Sequence, residues 1–265
     1  MTGRIVLRAS PLILHLQKVP ILRRFLHFVG RLVLPANHRV WVDVQSGAAA
    51  GFRMKLNPRT QAGFYASAPD LALRDFLVAH LRQGMTFWDL GANQGIFSLV
   101  AAKLVGPGGQ VLAFEPDPEL VNRLAEHATA NGCSNIKIMP VAVGANDCSV
   151  TFDRGGESGD FGQGKIVPYE GSDLRAGLLS VRCVTLDALL RHETPPDFIK
   201  CDVEGAEVEV FQAGRELLNR HCPYIECEVH SSLIGETLSQ SLQQSGYSLK
   251  WYAANHFLAV PAARW

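Results

Sequence analysis

The stretch Phe87-Trp88-Asp89-Leu90-Gly91-Ala92-Asn93-Gln94-Gly95 limits the fold of this chain more than any other. An apolar run ends in an acid and breaks into small residues. At Ile96 it gives way to a helical pattern that reaches Leu104. A second apolar run, Val111 to Phe114, closes on Glu115, 20 residues after Gly95. Strand, glycine turn, helix, strand and acid form a unit that offers a helix N-terminus and bare backbone to a ligand. Its terminal carboxylate is placed for ribose hydroxyls. A nucleoside-containing cofactor is the expected ligand.

Strand and helix alternate around this unit. The patterns predict strands over 86–90, 110–115, 136–140, 197–202, 223–229, 247–252 and 256–260. They predict helices over 95–105, 117–130, 186–191, 206–219 and 232–245. Such alternation implies an α/β fold, a mostly parallel sheet with helices on both faces. The last two strands are joined near Ala253-Ala254-Asn255 and can only form a hairpin, so one of them runs antiparallel. Upstream, residues 39–44 and 51–56 alternate around Gly47 and Gly51 and predict another hairpin. Leu71 to Leu81 reads as a helix. The expected division is an extension over 1–62 and a main domain over 63–265, long enough for one full core. Residues 153–180 show no period and hold seven glycines, which predicts a functional or a disordered loop.

Charge separates these parts. Residues 1–42 carry seven basic side chains and no acid, leaving 18 basic against 25 acidic in the other 223, a net of −7. An acidic body argues against a nucleic-acid groove. Residues 11–34 hold helical patterns broken at Pro20, with Arg23, Arg24, His27 and Arg31 on one face. That segment is expected to pack on the main domain or on a second copy of the chain. Peripheral contact of residues 1–40 with an anionic membrane is the alternative. No apolar run reaches the ~18 residues needed to span a bilayer. The six cysteines lack paired spacing and read as reduced thiols of a cytoplasmic protein.

Four groups carry chemistry. In Asp89-x-Gly91-x-x-x-Gly95 the glycine lets backbone approach a ligand, and Asp89 is placed for a ligand ammonium. In Glu115-Pro116-Asp117, Glu115 is the ribose acid and Asp117 a helix cap. The cluster Lys200-Cys201-Asp202-Val203-Glu204-Gly205-Ala206-Glu207 starts where an apolar run ends, the sheet edge at which ligands bind. Three carboxylates within six residues are costly unless a cation, a metal or a proton relieves them. Finally, alternation sets Glu226, Glu228 and His230 on one strand face, with His230 near the predicted site. A dinucleotide fingerprint would need Gly at 93 and Gly or Ala at 96; Asn93 and Ile96 weaken a nicotinamide oxidoreductase. Gly159-x-x-x-x-Gly164-Lys165 mimics a P-loop, but Ile166 replaces the required Ser or Thr.

These residues resemble the FkbM-type methyltransferases that depend on S-adenosylmethionine (SAM). The likeness rests on Asp89 to Gly95, Gly106 to Val111, Ala113 to Pro116, Asn131-Gly132, Val141 to Gly144, Thr185 to Asp187, Phe198 to Glu207 and Glu228 to His230, spanning roughly 63–230. It implies a class I methyltransferase fold and O-methylation of a hydroxyl on a small molecule, sugar, glycolipid or polyketide-like acceptor. On that reading Gly91, Ala92, Asn93 and Gly95 cradle the amino-acid end of SAM and Glu115 takes the ribose. Pro116 and the Val141-Ala142 turn flank the adenine. Asp202 and Glu204 line the acceptor side, and His230 is the leading base, because an alcohol attacks poorly until it loses its proton. A divalent metal on Asp202 and Glu204 is an alternative that is not favoured. The 153–180 loop would close over the acceptor. A non-catalytic SAM-binding scaffold, tethered by its basic segment, is the alternative outside enzymology.

Overall fold

A computed structural model of the chain describes residues 39–57, 68–155, 164–168 and 177–262. The helical patterns of residues 11–34, with their partner or membrane contact, lie outside the described residues, as does much of 153–180. The chain opens with the hairpin β1 (Val40–Asp43) and β2 (Arg53–Leu56), antiparallel as expected. Helix α1 (Ala68–His80) follows. The repeating unit then runs β3 (Thr86–Leu90), α2 (Ile96–Val105), β4 (Gln110–Phe114), α3 (Pro118–Ala130) and β5 (Ile136–Met139). Beyond an inserted segment come α4 (Leu186–Leu190), β10 (Phe198–Cys201), α5 (Glu207–Gln212), α6 (Arg215–His221), β11 (Tyr224–Glu228), α7 (Ser232–Gln244), β12 (Tyr247–Trp251) and β13 (His256–Pro261).

Seven strands form one sheet in the order β12-β13-β11-β10-β3-β4-β5. The pairs β10–β11, β10–β3, β3–β4 and β4–β5 are parallel, and β13 is antiparallel to both neighbours. The strand order reverses between β3 and β10, the switch point where an open α/β sheet leaves a crevice. This is the class I methyltransferase topology. Burial follows the pleat: Trp88, Leu112, Ile199, Ile225 and Phe257 face α4 to α7, while Phe87, Val111, Phe198 and Leu258 face α1, α2 and the first hairpin. Met54 of that hairpin is fully buried in the same core.

The helix expected over 206–219 is two helices, α5 and α6. The break falls at Gly214, where a Cβ would lie 2.6 Å from a methyl of Leu186; the chain turns to let α4 pack closely. The larger departure lies in the insert. Residues 153–180, read as without period, contribute where described to a four-stranded sheet of order β6-β9-β7-β8. Its strands are β6 (Ala142–Val143), β7 (Cys148–Asp153), β8 (Lys165–Val167) and β9 (Leu178–Val184). Short strands half-exposed on one side leave little hydrophobic alternation to read. Among the described residues no helix is long and apolar enough to cross a membrane.

Candidate active site

The glycine turn after β3 is tied to its neighbour strand by backbone. Gly91 and Ala92 N–H both donate to the Phe114 carbonyl, at 3.1 and 2.9 Å. Asn93 adopts the left-handed region, φ 52°, an uncommon conformation for a residue with a side chain. Its N–H thereby donates to Glu115 Oε2 at 2.9 Å, while Asp117 N–H donates to Glu115 Oε1 at 2.9 Å. Burial dominates these two bonds and pushes the Glu115 carboxyl up to about 7. Asn93 Oδ1 is buried without a partner at the wall of the crevice, an acceptor that a bound ammonium or hydroxyl would satisfy.

Eight of the expected residues line one cleft: Gly91, Asn93, Glu115, Pro116, Val141, Ala142, Asp202 and Glu204. It is open to solvent. Asp89, Ala92 and Gly95 stand behind it. Asp89, expected to meet a ligand ammonium, is 1% exposed, accepts from the Ser98 hydroxyl and lies 3.7 Å from Lys200 Nζ. The parallel register places Lys200 of β10 directly beside Asp89 of β3, so the acid meets an internal cation. Burial raises the Asp89 carboxyl, and Lys200 and Ser98 work against that rise. Gly95 serves packing: a Cβ there would lie 2.6 Å from Leu124 of α3.

The other rim of the cleft is built from the turn after β10 and the end of β11. Glu204 has φ 55° and Gly205 φ 110°, so the chain reverses sharply and turns Glu204 into the cleft. Lys200 Nζ donates to the Gly91 carbonyl at 3.1 Å and to Asp202 Oδ2 at 3.3 Å. Burial disfavours the charged amine, but Asp202, Asp89 and Glu226 more than offset it and raise its pKa. His230 stands beyond Glu204. Its Nε2 is 3.1 Å from Glu204 Oε2 and 3.7 Å from Asp202 Oδ1, and its Nδ1 is 2.8 Å from the fully buried Glu207. Hydrogen bonds to Glu204 and Glu207 push this imidazole up to about 11. It is an imidazolium at neutral pH, donating from both nitrogens.

Glu228 accepts from Asn255 Nδ2 at 2.8 Å, and burial followed by the Asp202 charge raises its carboxyl. Glu226, aligned with Glu228 by alternation, is instead buried under the sheet edge and accepts from the Tyr252 hydroxyl at 2.6 Å. Asp202, Glu228 and His230 bring ligand-type atoms within 4.8 Å of one another. The two carboxylates weighed for a metal are each already opposed by a cation, Asp202 by Lys200 at 3.3 Å and Glu204 by His230 at 3.1 Å.

Phe152, Arg154, Gly164 and Ile166 also line the cleft, and none was singled out as a site residue from the sequence. They come from the second sheet and its edges. The glycine-rich stretch expected over the acceptor thus supplies, where described, a wall on the Glu115 side. Arg154 binds Asp117, which also caps α3 as expected, accepting from Glu119 N–H. Only the alternation Lys200-x-Asp202-x-Glu204 could have signalled Lys200.

A family model described as the FkbM methyltransferase domain matches residues 89–249. A protein-L-isoaspartate O-methyltransferase of Ignicoccus hospitalis is 36% identical over 78 residues, 29% of this chain and 37% of that protein. The match therefore spans little more than a third of that relative's length. Among solved structures, the methyltransferase FkbM of Methylobacillus flagellatus aligns with TM-score 0.48 at 15% identity, over 92% of this chain and 60% of that one. Fibrillarin of Aeropyrum pernix, solved with natively bound S-adenosyl-L-methionine, aligns with TM-score 0.41 at 14% identity, over 67% and 66%.

Proposed function

Because the chain belongs to the FkbM methyltransferase family, we propose that it transfers a methyl group from SAM to a hydroxyl oxygen of a small-molecule, sugar or polyketide-like acceptor. The observation that carries this reading is one cleft at the sheet's switch point, with the glycine turn and Glu115 on one side and Asp202 and Glu204 on the other. When bound, SAM supplies a sulfonium methyl open to displacement. Gly91, Asn93 and Glu115 would hold it. Asn93 Oδ1 offers a free acceptor, and Glu115 keeps lone pairs for ribose hydroxyls beyond the two it gives to backbone N–H groups. Pro116, Val141 and Ala142 give the nucleoside an apolar flank.

The hydroxyl proton needs an acceptor. His230 was the leading base by position, but a general base must be neutral, and its two carboxylate partners keep this ring charged. The proton acceptors are then Asp202 and Glu204. His230 orients Glu204 from behind, and Lys200 orients Asp202. Four carboxylates (Asp202, Glu204, Glu207 and Glu228) outnumber the two cations among them, Lys200 and His230, and repel an anionic acceptor. That disfavours a carboxylate substrate such as the name of the Ignicoccus relative implies, and favours a neutral hydroxyl. Calorimetry with SAM and a labelled-methyl screen of neutral alcohols test the reading. Micromolar SAM binding with methyl incorporation at oxygen is expected. No SAM binding by the folded chain would overturn it, and label found on nitrogen or carboxylate would overturn the hydroxyl assignment.

A further inference from the structure

We propose that Arg154 is a positioning residue for the cofactor: it pins the second-sheet wall onto the segment that carries Glu115, and so sets how tightly the nucleoside half of SAM is held. The inference rests on the SAM reading above. Arg154 directly follows β7, whose Phe152 faces the cleft. Its guanidinium forks onto Asp117, with Nε 2.7 Å from Oδ2 and Nη2 3.1 Å from Oδ1, and Nη2 also reaches Glu119 Oε2 at 2.9 Å. Asp117 is 1% exposed, which makes this a partly desolvated, two-pronged pair of the kind that fixes orientation as well as energy.

Asp117 is no isolated anchor. Its own N–H holds Glu115 Oε1, and Glu115 Oε2 is held by Asn93 N–H of the glycine turn. One unbroken line of hydrogen bonds therefore runs from the wall, through Asp117 and the ribose acid, to the turn. A helix cap needs only the bond from Glu119 N–H, which Asp117 already accepts; the guanidinium fork adds a tie to the opposite wall. That wall is closely fitted, since a Cβ on Gly164 would lie 2.3 Å from the Phe152 ring. Lysine would keep the charge but lose the fork.

The test compares two ligands, SAM and 5′-methylthioadenosine, which keeps the nucleoside and lacks the amino-acid end. Arg154→Gln is expected to weaken both by the same factor, roughly tenfold, with faster dissociation, and Arg154→Lys by roughly threefold. Thr185→Ala, which removes the N-cap of α4 at a position that does not line the cleft, is the stability control and should leave both affinities unchanged. Equal loss for both ligands in the arginine variants alone supports the inference. Affinities within twofold of wild type in folded Arg154→Gln, or a loss confined to SAM, overturn it. Should Arg154→Gln fail to fold, Arg154→Lys decides by the same criterion. A wild-type chain that binds neither ligand would instead remove the methyltransferase reading.

Discussion

The two rims of the cleft solve different problems. On the Glu115 rim the donors around the turn are backbone: Gly91, Ala92, Asn93 and Asp117 each contribute an N–H, and the Arg154 guanidinium, on Asp117 and Glu119, closes the line. On the Asp202 rim the contacts are between charged side chains, with two cations, Lys200 and His230, holding three carboxylates, Asp202, Glu204 and Glu207. Fixed dipoles suit a ligand that must always sit in one place. A charged cluster suits a step in which a proton moves, because small shifts in position or protonation change its field. Lys200 joins the rims, since its amine holds the Gly91 carbonyl and the Asp202 carboxylate at once.

The rims should respond differently to substitution. Gly91→Ala ought to have the largest effect. Its φ of 73° strains any side chain, and the new Cβ would lie 1.8 Å from the Asp202 carbonyl oxygen, so both rims move. SAM binding by calorimetry should fall at least a hundredfold, with circular dichroism confirming a folded chain; retained affinity would refute the contact between the rims. Next, Glu204→Gln should cut methyl transfer by roughly a hundredfold while SAM affinity stays within twofold. A parallel loss of SAM affinity would mean that the rims are not separable.

Glu115→Gln should separate binding from stability. The carboxyl is raised from 4.5 to about 7, so the folded chain binds more protons than the unfolded one between those values. Burying Glu115 therefore costs stability as pH rises through that window, by about 3 kcal/mol once it is passed. The amide removes that cost but gives up one acceptor oxygen. A net gain of about 2 kcal/mol at pH 8 and none at pH 4, measured by urea unfolding, is expected alongside roughly tenfold weaker SAM binding. The smallest effect belongs to His230. Its raised pKa means that the stability carried by the paired imidazolium is fully present below 6.5 and drains as pH rises toward about 11. Nitrogen-15 NMR should find the ring doubly protonated at pH 8, and a neutral ring there would restore it as the base.

The sequence determined the parallel sheet, its antiparallel last strand and, on the Glu115 rim, the cleft positions Gly91, Asn93, Glu115, Pro116, Val141 and Ala142. Those features depend on local pattern: apolar period, a glycine turn, and an acid at a strand end. The first hairpin and the Asp117 cap were legible for the same reason. What only the tertiary structure decided was partnership. Strand register put Lys200 beside Asp89 and so took Asp89 from the ligand. The turn at Glu204 brought a carboxylate to His230 from 26 positions away in the chain and fixed the ring as a cation. Arg154 reached Asp117 across 37 residues, from a stretch with no period to read. Hydrophobic periodicity records which face of an element is buried, but a pairing between charges is set by register and by turns that two distant segments make together, and no local pattern encodes it.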